Sequence, residues 1–114
     1  MKYLIAVLFS LSSSAFAGGM SNLAIPDRID TVRGNGFMVY GAFGNPGNCT
    51  TTNKIFIDKG HPQYQEVYST VLAAFMGGKK VQIYVHSCGP VGWYSMPTTT
   101  YNIMGPAAAL NLLH

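Results

Sequence analysis

Residues 62–86 read PQYQEVYSTVLAAFMGGKKVQIYVH, and this stretch decides the fold. Tyr64, Val67, Tyr68, Val71, Leu72 and Phe75 fall at i, i+3, i+4, i+7, i+8 and i+11, one apolar stripe along an α-helix. Pro62 suits a first helical position, and Gly77-Gly78 supplies a left-handed stop. The period then changes from helical to alternating. In Lys80–His86, Val81, Ile83 and Val85 take one face while Gln82, Tyr84 and His86 take the other, as in a half-buried strand.

On the N-terminal side, Ile29–Arg33 alternates as a strand, and Asn35-Gly36 is a strong hairpin signal. Phe37–Phe43 is the return strand, with Gly41 a candidate bulge. Asn45–Asn53 is a turn-rich loop and Lys54–Asp58 a third short strand. After the helix and fourth strand come a loop, Gly89–Pro97, holding Trp93, and a last strand, Thr98–Met104. The apolar tail 106–114, PAAALNLLH, reads as one or two helical turns. The expected fold is mainly β: a small five-stranded OB-fold barrel with one α-helix between the third and fourth strands. A helix laid on an open sheet gives the same order, and order alone does not separate the two.

The first 17 residues have the form of a secretory signal peptide. Lys2 gives the positive start, Tyr3–Leu11 the apolar run, and Ala15-Phe16-Ala17 a small-x-small cleavage site. The run is about half of the ~20 residues that cross a bilayer. Taking 17 residues from 114 leaves a single domain of 97, expected to start at Gly18 and to be secreted or periplasmic. Cys49 and Cys88 are the only cysteines, and in an exported chain they read as one disulfide. Without Lys2, six Lys and Arg face four Asp and Glu, a net charge of +2. That is too weak for a nucleic-acid ligand. The polar surface is built from Gly, Asn, Thr, Ser and Tyr, which suits neutral, hydroxyl-rich ligands or an oligomer that hides surface.

Catalytic and metal chemistry find no motif. His61, His86 and His114 lack metal-ligand spacing. An Asp58–His86 acid–base pair has no nucleophile motif beside it. Gly34-Asn35-Gly36 and Gly44-Asn45-Pro46-Gly47 lack the lysine or spacing of phosphate loops and read as turns. Asn48-Cys49-Thr50 matches a glycosylation sequon, but its cysteine is expected to be bridged. The expectation is a non-enzyme with no cofactor and no metal. Trp93 and Tyr94 are the aromatic candidates for stacking on a sugar, and Trp93 equally suits a plug for one end of a barrel or a subunit contact. Asn48, Thr50 and Asn53, with Thr51, come near them if the disulfide ties the two loops together.

The segment Tyr64–Phe75, then Gly77–Val85, resembles B subunits of pentameric bacterial toxins of the subtilase cytotoxin and typhoid toxin group. There too a Tyr- and Ala-bearing helix ends at a glycine turn and a V-x-I-Y strand follows, here Val81, Ile83 and Tyr84. Trp93-Tyr94-Ser95-Met96-Pro97 resembles the Trp- and Pro-bearing stretch beyond it, so the likeness runs over residues 64–97. The resemblance implies an OB-fold, export, a homopentamer whose helix lines a pore, cell-surface glycan as ligand and a catalytic A subunit as partner. Val85 stands where that group carries a glycan-contacting tyrosine, and the cysteines sit differently, so no sugar-contacting residue is carried over. The alternative is a periplasmic inhibitor or accessory module that inserts a loop such as 89–97 into a partner protein. A small hydrolase is a third and weaker reading.

Overall fold

The structure, a computed structural model, describes residues 19–32, 35–91, 99–106 and 108–113. The proposed signal peptide, Trp93 and Tyr94 lie outside these residues.

The 62–86 reading holds at its centre. Helix α1 spans Tyr64–Gly77 and ends on Gly78, whose φ of 66° is left-handed. Its start is two residues later than Pro62 implies. No side chain caps its first turn; just ahead of it, His61 Nδ1 accepts the backbone N–H of Gln63, the N-cap residue, at 3.0 Å. The neutral ring therefore carries its proton on Nε2, which donates to the Ala108 carbonyl at 3.0 Å. A buried histidine thus ties the helix start to the C-terminal segment.

Eight strands surround the helix: β1 Gly19–Met20, β2 Arg28–Val32, β3 Gly36–Tyr40, β4 Lys54–Asp58, β5 Lys80–Val85, β6 Ser87–Gly89, β7 Tyr101–Met104 and β8 Ala109–Leu113. They form two sheets, ordered β1-β5-β8 and β2-β3-β4-β7-β6. The β4–β7 pair is parallel and the others are antiparallel. The chain is mainly β with one helix after the third long strand, but its ladders make no closed barrel among the described residues. Four connections pass from sheet to sheet: residues 21–27 between β1 and β2, the helix-bearing stretch between β4 and β5, His86 alone between β5 and β6, and residues 105–108 between β7 and β8. The expected helical tail is instead strand β8, which pairs along all of Ala109–Leu113 with β5. Its Ala- and Leu-rich sequence favours helix locally; pairing with an existing strand overrides that preference.

The helix covers one face of the sheets. Val67, Val71 and Ala74 are buried against Phe37, Val39, Ile55, Ile57, Val81, Ile83 and Val85. Phe37 meets the rings of Tyr64 and Tyr68 edge-on at 5.7 and 5.0 Å. The opposite face of the five-stranded sheet carries a second cluster, Val32, Met38, Phe56, Val91 and Tyr101. Burial on both faces explains why β3 and β4 read as nearly unbroken apolar runs. The expected stripe is only partly covered: Leu72 and Phe75 remain 38% exposed, and Met76 beside them 76%.

Candidate functional site

The loop between β3 and β4 gathers six polar side chains, Asn45, Asn48, Thr50, Thr51, Thr52 and Asn53. It closes on itself where Gly44 N–H donates to Asn53 Oδ1 and Asn53 N–H donates to the Gly44 carbonyl, both at 2.8 Å. Inside, Asn45 clasps Cys49: its Oδ1 accepts the Cys49 N–H at 2.8 Å and its Nδ2 donates to the Cys49 carbonyl at 2.7 Å. Asn48 and Asn53 take positive φ, 56° and 62°, the region asparagine tolerates best after glycine. The expected disulfide is present, Cys49 to Cys88 with Cα atoms 5.7 Å apart, and it pins the loop to β6. Such a bridge points to an oxidising, non-cytoplasmic environment. No helix among the described residues is long and apolar enough to cross a membrane.

Asn102 of β7 is the hub beneath the loop. It is fully buried, and both ends of its amide are used. Oδ1 accepts the Gly47 N–H at 2.7 Å, and Nδ2 donates to Asn45 Oδ1 at 3.0 Å. Gly47 has no room for a side chain: a Cβ there would lie 2.6 Å from Asn102 Oδ1 and 3.1 Å from Cys49 Sγ. A threonine ladder fixes the far side. Thr50 Oγ1 accepts the Thr100 N–H at 2.6 Å and donates to the Thr100 carbonyl at 3.1 Å, while Thr51 Oγ1 donates to the same carbonyl at 2.9 Å.

The structure thus brings Asn48, Thr50 and Asn53 into one loop, as expected, but gives two of them structural work. The Asn53 oxygen is engaged, leaving its two amide hydrogens; the Thr50 hydroxyl is used in full, donating to the Thr100 carbonyl and accepting from the Thr100 N–H and hydroxyl. Asn48 is exposed, and its side-chain amide makes no hydrogen bond among the described residues. Cys49 and Cys88 are half-buried.

Next to Asn53 the sheet adds groups that sequence reading missed. Arg28, Tyr40 and Lys54 are register partners across β2, β3 and β4 and so share a face. The Arg28 guanidinium lies 4.5 Å from the Tyr40 ring centre and Lys54 Nζ 5.5 Å from it. Asp30 accepts from Arg28 at 3.0 and 2.9 Å and from the Tyr40 hydroxyl at 3.0 Å. Arg28, Asp30 and Lys54 are three of the few charged side chains in a charge-poor chain; that scarcity was the available signal, and the strand register was not. Tyr101, one residue past the threonine ladder, has its hydroxyl pKa raised above 10.0, first by burial and then by the neighbouring Tyr40.

Elsewhere, a pocket of about 230 Å³ lies between the first turns of α1 and the β7–β8 connection, and includes His61, Glu66, Thr70 and Leu110. Another of about 280 Å³ lies among Asn35, Phe56, Asp58, Pro90 and Val91. Among the described residues Asp58 accepts from the Gly60 N–H and makes no pair with His86, which is exposed. No group of three His, Cys, Asp or Glu is placed to hold a metal there, and His114 lies outside the described residues.

No family model matches the chain, and no curated protein or solved structure matches it significantly.

Proposed function

We propose that this is an exported, non-enzymatic binding protein, similar in kind to toxin B subunits, that takes cell-surface glycan at the 44–53 rim and works as a homo-oligomer. One observation carries the reading: a disulfide-pinned loop presents neutral amide and hydroxyl groups at the end of a sheet, beside Tyr40. Sugar hydroxyls need donors and acceptors held in fixed positions, and the Asn48 amide and the two Asn53 amide hydrogens are such groups, with Thr50 bracing the rim beside them. Trp93 and Tyr94 join the site if the segment after β6 lies over this rim.

The OB-fold reading has its own support. β4 beside β7 is the non-sequential step of a Greek key, and the bends at 21–27 and His86 let two sheets act as one partly open barrel. A ring of five copies with a separate catalytic subunit is the form the toxin resemblance implies.

A glycan array tests the reading, using wild type, Asn48→Gly and Trp93→Ala. Asn48→Gly removes the amide while keeping the positive φ. Binding by wild type that Asn48→Gly loses is the expected result; an array on which wild type binds nothing overturns it. The second reading, a module that docks a partner protein, is favoured by the exposed Leu72, Phe75 and Met76 on α1. A silent array together with a single captured protein that Met76→Lys releases would select it.

A further inference from the structure

The outer edge of the three-stranded sheet is open, and the hydrogen bonds show which groups are left there. Val81 exchanges both backbone bonds with Ala24, at 2.8 and 3.0 Å, and the Ile83 carbonyl accepts the Ser21 N–H at 2.8 Å. Val81 and Ile83 therefore point towards the N-terminal segment. In an antiparallel ladder the direction alternates, so Lys80, Gln82 and Tyr84 point towards β8, at their partners Leu113, Asn111 and Ala109. Leu110 and Leu112, the residues between, turn their N–H and C=O outwards. These four groups have no partner among the described residues.

Among the described residues nothing protects this edge. Ala109–Leu113 contains no charge, no proline and no bulge, the usual means of keeping an edge strand single. Leu112 is 48% and Leu113 43% exposed. The segment is also symmetric where it counts, with Leu-Asn-Leu centred on Asn111.

We propose that β8 pairs antiparallel with β8 of a second copy, about a two-fold axis through Asn111. The register follows from the free groups. Leu110 faces the partner's Leu112 and exchanges both backbone bonds with it, and Leu112 does the same with the partner's Leu110. All four open groups are then satisfied. Asn111 meets the partner's Asn111 as the pair without backbone bonds, the closer of the two pair types. On the helix side the row Val81, Leu112, the partner's Leu110 and the partner's Ile83 becomes continuously apolar. On the other side Leu113 lies against the partner's Ala109. No like charges are opposed: Lys80 sits opposite Leu113, so the two copies of Lys80 fall at opposite ends of the paired strands.

This proposal rests on the reading of the chain as a homo-oligomer and names one of its contacts. A two-fold contact gives a dimer alone, or joins two rings face to face.

The test uses the oxidised protein in solution, with light scattering after size exclusion and a non-reducing gel. At roughly 100 µM, a contact with a Kd near 10 µM is mostly formed. Wild type should have twice the mass of one chain or an even multiple of it. Asn111→Cys should give a covalent dimer on oxidation, while Gln65→Cys, exposed on α1, should not. Leu112→Lys should weaken the dimer about tenfold or more, with the far-ultraviolet spectrum unchanged because Leu112 is already half in solvent. A larger assembly whose mass survives Leu112→Lys, with no crosslink at position 111, overturns the contact and leaves the oligomer reading intact. A wild-type monomer overturns both. A dimer that crosslinks at 111 but binds no glycan upholds the contact and overturns the glycan reading.

Discussion

The 44–53 rim and the β8 edge stand at opposite extremes of satisfaction. In the rim, Asn45, Gly47, Cys49 and Asn102 are linked by hydrogen bonds, Thr50 is bonded to Thr100, and a disulfide is laid on top. At β8, Leu110 and Leu112 hold backbone groups with no partner among the described residues, beside half-exposed leucines. A segment rich in turns holds one shape only if something fixes it, and fixed polar groups are what a ligand requires. An open apolar edge gains by being covered. On the proposed reading the rim is the site for a small polar ligand, and the edge takes a second copy of the chain.

Opening the rim should have the largest effect. The Cys49–Cys88 bridge joins residues 39 apart, and a loop of that length is worth roughly 4 kcal/mol in the chain-entropy model. The Cys49→Ser, Cys88→Ser double variant should lose most of that in urea unfolding and lose glycan binding with it. If stability falls by less than about 1 kcal/mol, well short of the usual cost of a native bridge, the rim owes its shape to the hydrogen bonds alone.

Asn102→Ala comes next. It strips the partner from the buried Gly47 N–H and one of the two donors from Asn45 Oδ1, which keeps the Cys49 N–H; that points to a loss of about 2–3 kcal/mol. Gly47→Ala should act in the same direction, because its Cβ would press on Asn102 and the bridge. A double variant that costs no more than the worse single one would show that the two act on one network. Leu112→Lys is the counterpart at the edge. It should change the unfolding free energy of the monomer by less than about 0.5 kcal/mol, as surface substitutions do, while changing the assembly.

The same contrast explains what could be read in the sequence. Features set by local signals were legible: α1 from its period and its Gly77-Gly78 stop, β2 and β5 from alternation, and the bridge from a cysteine count of two. Features set by pairing between distant segments were not. ALNLL carries helix formers and becomes a strand only because β5 offers an edge. Arg28, Asp30, Tyr40 and Lys54 form a cluster only once the register of β2, β3 and β4 is fixed. Asn102 reads as an ordinary polar residue of a strand until the loop folds over it. The period marks the apolar stripe on α1 but does not say how wide the opposing surface is, and Leu72 and Phe75 lie at its margin.

The smallest effect expected is a pH dependence that separates the helix side of the sheet from the rim side. Tyr64, which packs on Phe37 under the helix, has its hydroxyl pKa raised above 10.0, chiefly by burial and then by Tyr68. Tyr101, on the opposite face of the sheet, is raised first by burial and then by Tyr40. In the unfolded chain both phenols release their protons near 10.0; in the native fold they hold them to higher pH. Between those values the native state binds more protons, so stability falls as pH rises. The contribution is complete below pH 10 and is lost above it. Urea midpoints measured from pH 8 to pH 11 should therefore decline at the alkaline end, and Tyr64→Phe and Tyr101→Phe should each flatten part of the decline. If Tyr64→Phe alone removed all of it, the burial of Tyr101 behind Val91 would be too loose to hold its proton. The second cluster would then be the weaker of the two cores.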